Sequence, residues 1–191
     1  IPNMVSDLIS YKEKKPSDDF VFTAIGRLVD IKRFSVDIDA FTKAFKDKKN
    51  IKLNIIGNGV MYNSLKKQID SLNMNSQISL MGFKTREEVA NILGQSDCHV
   101  SASILETFGV PFIEAWVTGI PSIGVKGGPL DEYFNETNGL LFEADNIDSL
   151  AEAMQTIYSF YSKFNRVEIS NKASSIFSST NVASKLIEIF Q

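Results

Sequence analysis

The sequence predicts an α/β fold, a three-layer sandwich with helices on both faces of a mostly parallel sheet. Short β-rich runs alternate with helical patterns along most of the 191 residues, the order that builds βαβ units. Several of the strand candidates end in a glycine and a short loop, and ligands in such folds bind at the carboxyl ends of the strands. With 43% hydrophobic and 23% charged residues, the chain can bury the core of one full domain.

Residues 1–18 begin IPNMVSDL and continue through the polar run YKEKKPSDD, which reads as a linker or an exposed first segment. Residues 20–26 form the first strand. Residues 34–46 place Phe34, Ile38, Phe41 and Phe45 at the spacing of a core-facing helix. A second strand at 51–57 precedes a helix around 60–72. A third strand at 77–82 is followed by a helix that Thr85 caps and that runs through Leu93. The fourth strand is 98–102. The next helix lies near 109–118, where Pro111 suits a first turn. A fifth strand at 121–125 precedes a short helix after Gly128-Pro129, and 139–142 is a short sixth strand. Asp148 starts a helix to about Ser162, and helical stretches near 167–177 and 182–190 close the chain.

Composition excludes several functions. A net charge of −3 gives no reason to expect nucleic acid or an anionic membrane as partner. The single Cys98 rules out an internal disulfide and a multi-cysteine zinc site, and it suits a reducing compartment. No stretch approaches the roughly 18 apolar residues of a transmembrane helix, and the first residues lack the pattern of a signal peptide. There is one histidine, His99, inside a strand pattern, so a structural role is expected rather than a zinc site or a Cys-His pair.

The segment SILETFGVPFIEAWVTG at 103–119 carries the most chemistry. Glu106 and Glu114 stand eight residues apart across an apolar turn. Glu106 falls in the loop before a helix and Glu114 about one turn inside it. Between them lie the amides of Phe108, Gly109 and Val110, available to an anion at the positive helix end, while the carboxylates suit sugar hydroxyls. A nucleotide sugar carries both kinds of group. Paired carboxylates also serve glycoside hydrolysis; the phosphate features nearby make that the second choice.

Arg27 and Lys32 follow the first strand. Alone they read as solvated charges; beside the other motifs they suit a diphosphate, Arg as a planar fork and Lys as a point charge. Gly57-Asn58-Gly59 follows the second strand, but Tyr62 stands where a dinucleotide fingerprint needs a third glycine, which argues against NAD. The glycines alone fit an ordinary strand-to-helix turn equally well. Phe83, after Gly82, reads as core. Lys126-Gly127-Gly128-Pro129 reads either as a β-turn or as a loop whose amides approach a ligand closely.

Four of these segments, in this order, resemble the motifs of retaining glycosyltransferases of family 4, which have the GT-B fold. GRLVDIK at 26–32 resembles the family's G-R-L-x-x-x-K, GNG at 57–59 its G-x-G turn, 103–119 its E-x7-E motif, and KGGPLDE at 126–132 its Gly-Gly loop. Arg33 departs from the usual glycine. The resemblance implies a Rossmann-like C-terminal half of a GT-B fold. In this reading 1–18 is the interdomain linker, 19–165 binds the nucleotide sugar, and 166–191 holds helices directed at an N-terminal domain. It implies catalytic roles for Glu106, Arg27 and Lys32, and a donor site of Gly26, Arg27, Lys32, Gly57, Gly59, Phe83, Lys84, Glu106, Phe108, Gly109, Val110, Glu114, Gly127 and Gly128. Glu114 would meet the ribose, Glu106 the donor sugar, and the loop of Phe83 and Lys84 the base. By the same resemblance Glu132 is expected to fix the Gly-Gly loop rather than react. It further implies no cofactor, no metal, a cytoplasmic enzyme, any membrane association residing in the other half, and a fragment inactive by itself. A non-catalytic nucleotide-sugar-binding module and another GT-B enzyme, such as an epimerase, are the rivals.

Overall fold

The computed structural model of the chain describes residues 5–182. Six strands form one all-parallel sheet in the order β3-β2-β1-β4-β5-β6: β1 (Phe20–Ile25), β2 (Ile51–Ile56), β3 (Ile78–Gly82), β4 (Cys98–Val100), β5 (Ser122–Val125) and β6 (Gly139–Phe142). The order reverses between β1 and β4, which pair through Phe22–Cys98 and Thr23–His99. Loops leaving these two strands diverge to opposite faces and open a crevice at their carboxyl ends, where α/β folds bind ligands.

Helices α1 (Phe34–Phe45), α2 (Tyr62–Ser71) and α5 (Ile147–Ser159) serve the larger core on one face, and α3 (Arg86–Gln95), α4 (Val110–Val117) and α6 (Arg166–Phe177) cover the other. The periodic residues Phe34, Ile38, Phe41 and Phe45 of α1 are all buried. Phe45 stacks on Phe22 of β1 with ring centroids 5.6 Å apart. Burial of side chains of this size supplies about 1.5–3 kcal/mol each relative to exposure. Thr85 caps α3 as expected, in a reciprocal capping box with Glu88.

Some boundaries differ from expectation. Helix α5 starts one residue before Asp148 because the Asn146 side chain accepts from the Ser149 amide, and it ends at Ser159, before a separate 3-10 turn at Tyr161–Lys163. The helix expected after Gly128-Pro129 is a single 3-10 turn at Asp131–Tyr133. Residues 5–18 are not a free linker. Val5 and Ile9 are buried against the α4/α6 face, the Val5 amide donates to the Phe177 carbonyl, and Lys14 pairs with Asp97. Nor does Phe177 form an outward apolar face: it is 1% exposed, packed on Trp116 and Tyr133. Of the stretch expected to be helical over 182–190, Val182 is described and helical, and the rest, with Leu186, Ile187 and Phe190, lies outside the described residues.

Gly57 and Gly59 let the first two strand loops touch. A Cβ at Gly57, whose φ is +142°, would sit 1.9 Å from the Gly26 carbonyl oxygen, and one at Gly59 would sit 2.3 Å from that of Leu28. The contact is reinforced by Leu28 donating to the Asn58 carbonyl and Met61 to that of Leu28. Gly57→Ala must therefore push two backbones apart. It is expected to destabilise the chain by on the order of 3 kcal/mol or more, read as a lowered urea midpoint; an unchanged midpoint would contradict the close approach.

Candidate functional site

The sheet positions the site by bringing three loops to its carboxyl edge. The β1 loop carries Gly26, Arg27 and Lys32 into a 3-10 turn at Asp30–Lys32. The β4 loop carries Ser103 to Gly109 into α4. The β5 loop carries Lys126 to Asp131. Ile104 of the second loop donates to the Ile31 carbonyl of the first at 3.3 Å. The decisive contact lies beside it. Lys32 Nζ donates to Glu106 Oε1 at 2.7 Å, both side chains being partly buried, 22% and 15% exposed. Two residues 74 apart in sequence, each expected in the chemistry, thus meet across the crevice.

Arg27 is exposed at the mouth of the same loop, and among the described residues it has no ion-pair partner. Arg33 explains why glycine would be easier there. Its φ of 52° is left-handed, a conformation costing a side-chain-bearing residue about 1–2 kcal/mol. Its guanidinium is held by Asp30 at 3.2 Å and by Asp145 at 3.3 Å, so its charge is committed to the loop.

Helix α4 opens where the sequence places it, with Gly109 in left-handed conformation before Val110 and proline in the first turn. A Cβ on Gly109 would lie 2.7 Å from Leu130, so the residue also closes the turn onto the β5 loop. The amides of Phe108, Gly109 and Val110 have no acceptor among the described residues. They face the opening of a helix eight residues long, whose partial positive charge favours an anion. A cleft of about 140 Å³ adjoins them, lined by Glu106, Gly109, Phe112, Lys126, Gly127, Gly128 and Asp131 among others.

Glu114 is buried on the fifth residue of α4, and Arg86 donates to it at 3.0 Å. Burial raises its pKa and Arg86 opposes the rise. Phe83 is not core: it is 71% exposed, lying after Gly82, whose φ of +69° turns the chain outward. Lys84 is half-buried and pairs with Glu88 at 3.4 Å. At the β5 loop the expectation for Glu132 is corrected. Asp131, not Glu132, fixes the turn by accepting from the Gly127 and Gly128 amides at 2.6 and 2.9 Å, so both amides are already bonded. Gly57 and Gly59 are turned to the β1 loop, as described above. Nothing in the motif spacing marked Arg86 or Asp131; each is found only through its contact.

His99 is fully buried under the site, edge-on to Phe112 with ring centroids 4.7 Å apart. Both ring nitrogens lack a partner among the described residues. Burial and then the nearby Lys32 push its pKa down to about 3, so it is neutral and structural, as expected. Asp37 of α1 is also fully buried. Its pKa is raised well above the usual carboxylate range by desolvation, against a smaller opposing effect of the Ala102 backbone. Among the described residues, no three His, Cys, Asp or Glu side chains converge on a point, and no helix is long and apolar enough to cross a membrane.

The family model of glycosyl transferases group 1 matches residues 5–173. The chain belongs to this family. Among curated relatives, the alpha-monoglucosyldiacylglycerol synthase of Acholeplasma laidlawii is 29% identical over 127 residues, 66% of this chain and 32% of that protein. The mannosylfructose-phosphate synthase of Agrobacterium fabrum is 26% identical over 90% of this chain and 40% of its own length. The chain thus spans well under half of these relatives. Among solved structures, Anabaena HepE in complex with UDP and glucose superposes with a TM-score of 0.81 at 21% identity, covering 91% of this chain and 48% of that one. Staphylococcus aureus TarM does so with a TM-score of 0.81 at 24% identity, covering 98% and 38%. The likeness establishes the GT-B, Rossmann-like fold of this glycosyltransferase-family chain.

Proposed function

We propose that this group 1 glycosyltransferase chain is the donor-binding half of a retaining enzyme of family 4, which moves a hexose-type sugar from a nucleoside-diphosphate sugar to an acceptor hydroxyl. The observation that carries the reading is the Lys32–Glu106 contact at the switch point of the sheet. A cation suited to the leaving diphosphate and a carboxylate suited to the sugar are brought to the same point of the crevice, where a bound donor would part them and lie against both. Arg27, Lys32 and the amides from Phe108 to Val110 would hold the diphosphate, doing without a divalent metal. Glu106 would stabilise positive charge developing on the sugar. Glu114 would accept from the ribose hydroxyls, and exposed Phe83, with Lys84, would border the base. An N-terminal domain would supply the acceptor site, and the 191-residue chain by itself would have no transferase activity. The enzyme would act in the cytoplasm. Intact Glu106, Arg27 and Lys32 disfavour a binding module without catalysis.

The resemblance to retaining family 4 enzymes implies attack from the leaving-group face, with the departing phosphate taking the acceptor proton. UDP is the first nucleotide to test, since HepE was solved with it. Calorimetric titration of the chain with UDP, GDP and ADP in EDTA should give saturable binding to one of them. The Arg27→Ala, Lys32→Ala double variant should lose it. Binding that survives in the double variant, or that needs a divalent ion, would sink the reading.

A further inference from the structure

Arg86 lies outside every motif, yet it holds one of the two motif carboxylates. It is the first residue of α3, directly after the Thr85 cap, and its guanidinium reaches across to Glu114 on α4. The two ends of the contact differ sharply: the Glu114 side chain is 8% exposed and that of Arg86 61%. Glu114 stands between buried Ile113 and Ala115 on a helix with little polar surface, so its own helix offers nothing to replace lost water. Among the described residues, Arg86 is the one side chain that donates to it.

The other charged groups around α4 are bonded elsewhere or exposed. On α3, Glu88 accepts from the Thr85 amide and from Lys84, and Glu87 is exposed. On α6, the Arg166 guanidinium is turned to the Ser96, Gly94 and Lys12 carbonyls, while Glu168 and Lys172 are exposed. On β4, His99 is neutral above about pH 3, and β5 carries no charged residue.

We infer that Arg86 is a positioning residue, which keeps Glu114 ionised and fixed in one orientation so that its carboxylate can accept hydroxyl hydrogen bonds. This rests on the proposed reading of Glu114 as the ribose acceptor. A protonated acid would donate one hydrogen bond where the ribose diol offers two donors. Burial drives Glu114 toward that protonated form, and a cation 3.0 Å away opposes it. The cations that suit the diphosphate, Arg27 and Lys32, come from a different loop, so Arg86 is not needed there.

Two measurements test the inference. In the first, carboxyl carbons of glutamate are labelled and titrated by NMR in the chain without nucleotide, with Glu114→Gln assigning the signal. Arg86→Gln should move the Glu114 midpoint upward and Arg86→Lys should restore part of it; an unmoved midpoint overturns the inference whatever the site binds. In the second, UDP, GDP and ADP are titrated as a function of pH. Arg86→Gln should weaken binding of the preferred nucleotide more at acidic than at neutral pH, and it should have no effect in a Glu114→Gln background. A loss that is equal at both pH values and persists without Glu114 would place Arg86 on the ligand itself and overturn the positioning role. A shifted midpoint in a chain that binds none of the three nucleotides would reject the ribose reading and, with it, the role in binding.

Discussion

Lys32→Ala is expected to weaken nucleoside-diphosphate binding by on the order of 10- to 100-fold, the worth of one hydrogen bond to a charged group. Glu106→Gln is expected to do the opposite. In the chain as described, the Lys32 ammonium is committed to Glu106 at 2.7 Å. A diphosphate that recruits Lys32 must share it with that carboxylate, and it meets a negative charge beside it. Removing the charge frees the ammonium and lifts the repulsion, so product nucleotide should bind more tightly. Transfer should suffer nonetheless. If Glu106 stabilises the charge that develops at the anomeric carbon, Glu106→Gln in the intact enzyme should lower turnover by on the order of 100- to 1,000-fold. Calorimetry on the chain and initial rates on the intact enzyme separate the two effects. Equal losses of nucleotide affinity in both variants would mean that Glu106 only scaffolds Lys32.

Acid should unfold the chain through His99. Its pKa is about 3 in the folded chain against an ordinary 6.5, chiefly because burial strips water from the imidazolium and secondarily because Lys32 lies near. The unfolded chain therefore binds a proton that the folded chain refuses. The neutral ring's contribution is complete above about pH 6.5 and drains away as pH falls toward 3, amounting to about 3 kcal/mol by about pH 4. Asp37 works with the opposite sign. Its carboxyl keeps its proton above the usual range, so its contribution is fully present below the ordinary carboxylate value and is lost as pH rises toward the folded one. Urea unfolding at about pH 7 and at about pH 4, run on the parent chain and on His99→Leu, isolates the histidine. The parent should lose most of that difference and the leucine variant should not; parallel pH dependence in the two would show that His99 finds a proton acceptor in the folded chain.

Much of the architecture was legible because it is written in periodicity. Alternating β-rich and helical runs specified six strands and their intervening helices, and the 3.6-residue spacing of Phe34, Ile38, Phe41 and Phe45 marked the buried face of α1. The Thr85 cap and the Gly109–Pro111 helix start were equally readable, because capping and proline preferences act within a few residues. Where local signals compete, the pattern does not decide between neighbours. Asn146 rather than Asp148 caps α5, and Asp131 rather than Glu132 holds the Gly-Gly turn. In both cases neighbouring polar residues of similar chemistry differ only in which one the backbone aims at the free amides.

The chain by its sequence alone determined the α/β class, membership of glycosyl transferases group 1, and the loops that carry the candidate site, since each depends on residue identity and short-range spacing. The tertiary structure decided what those residues touch. It brought Lys32 to Glu106 and Arg86 to Glu114, turned Gly57 and Gly59 to the first loop, exposed Phe83, and docked residues 5–18 and Phe177 onto the domain. Those outcomes depend on strand order and on which helix face meets which loop. These are long-range relations between positions as much as 74 residues apart for Lys32 and Glu106, and no local pattern encodes them.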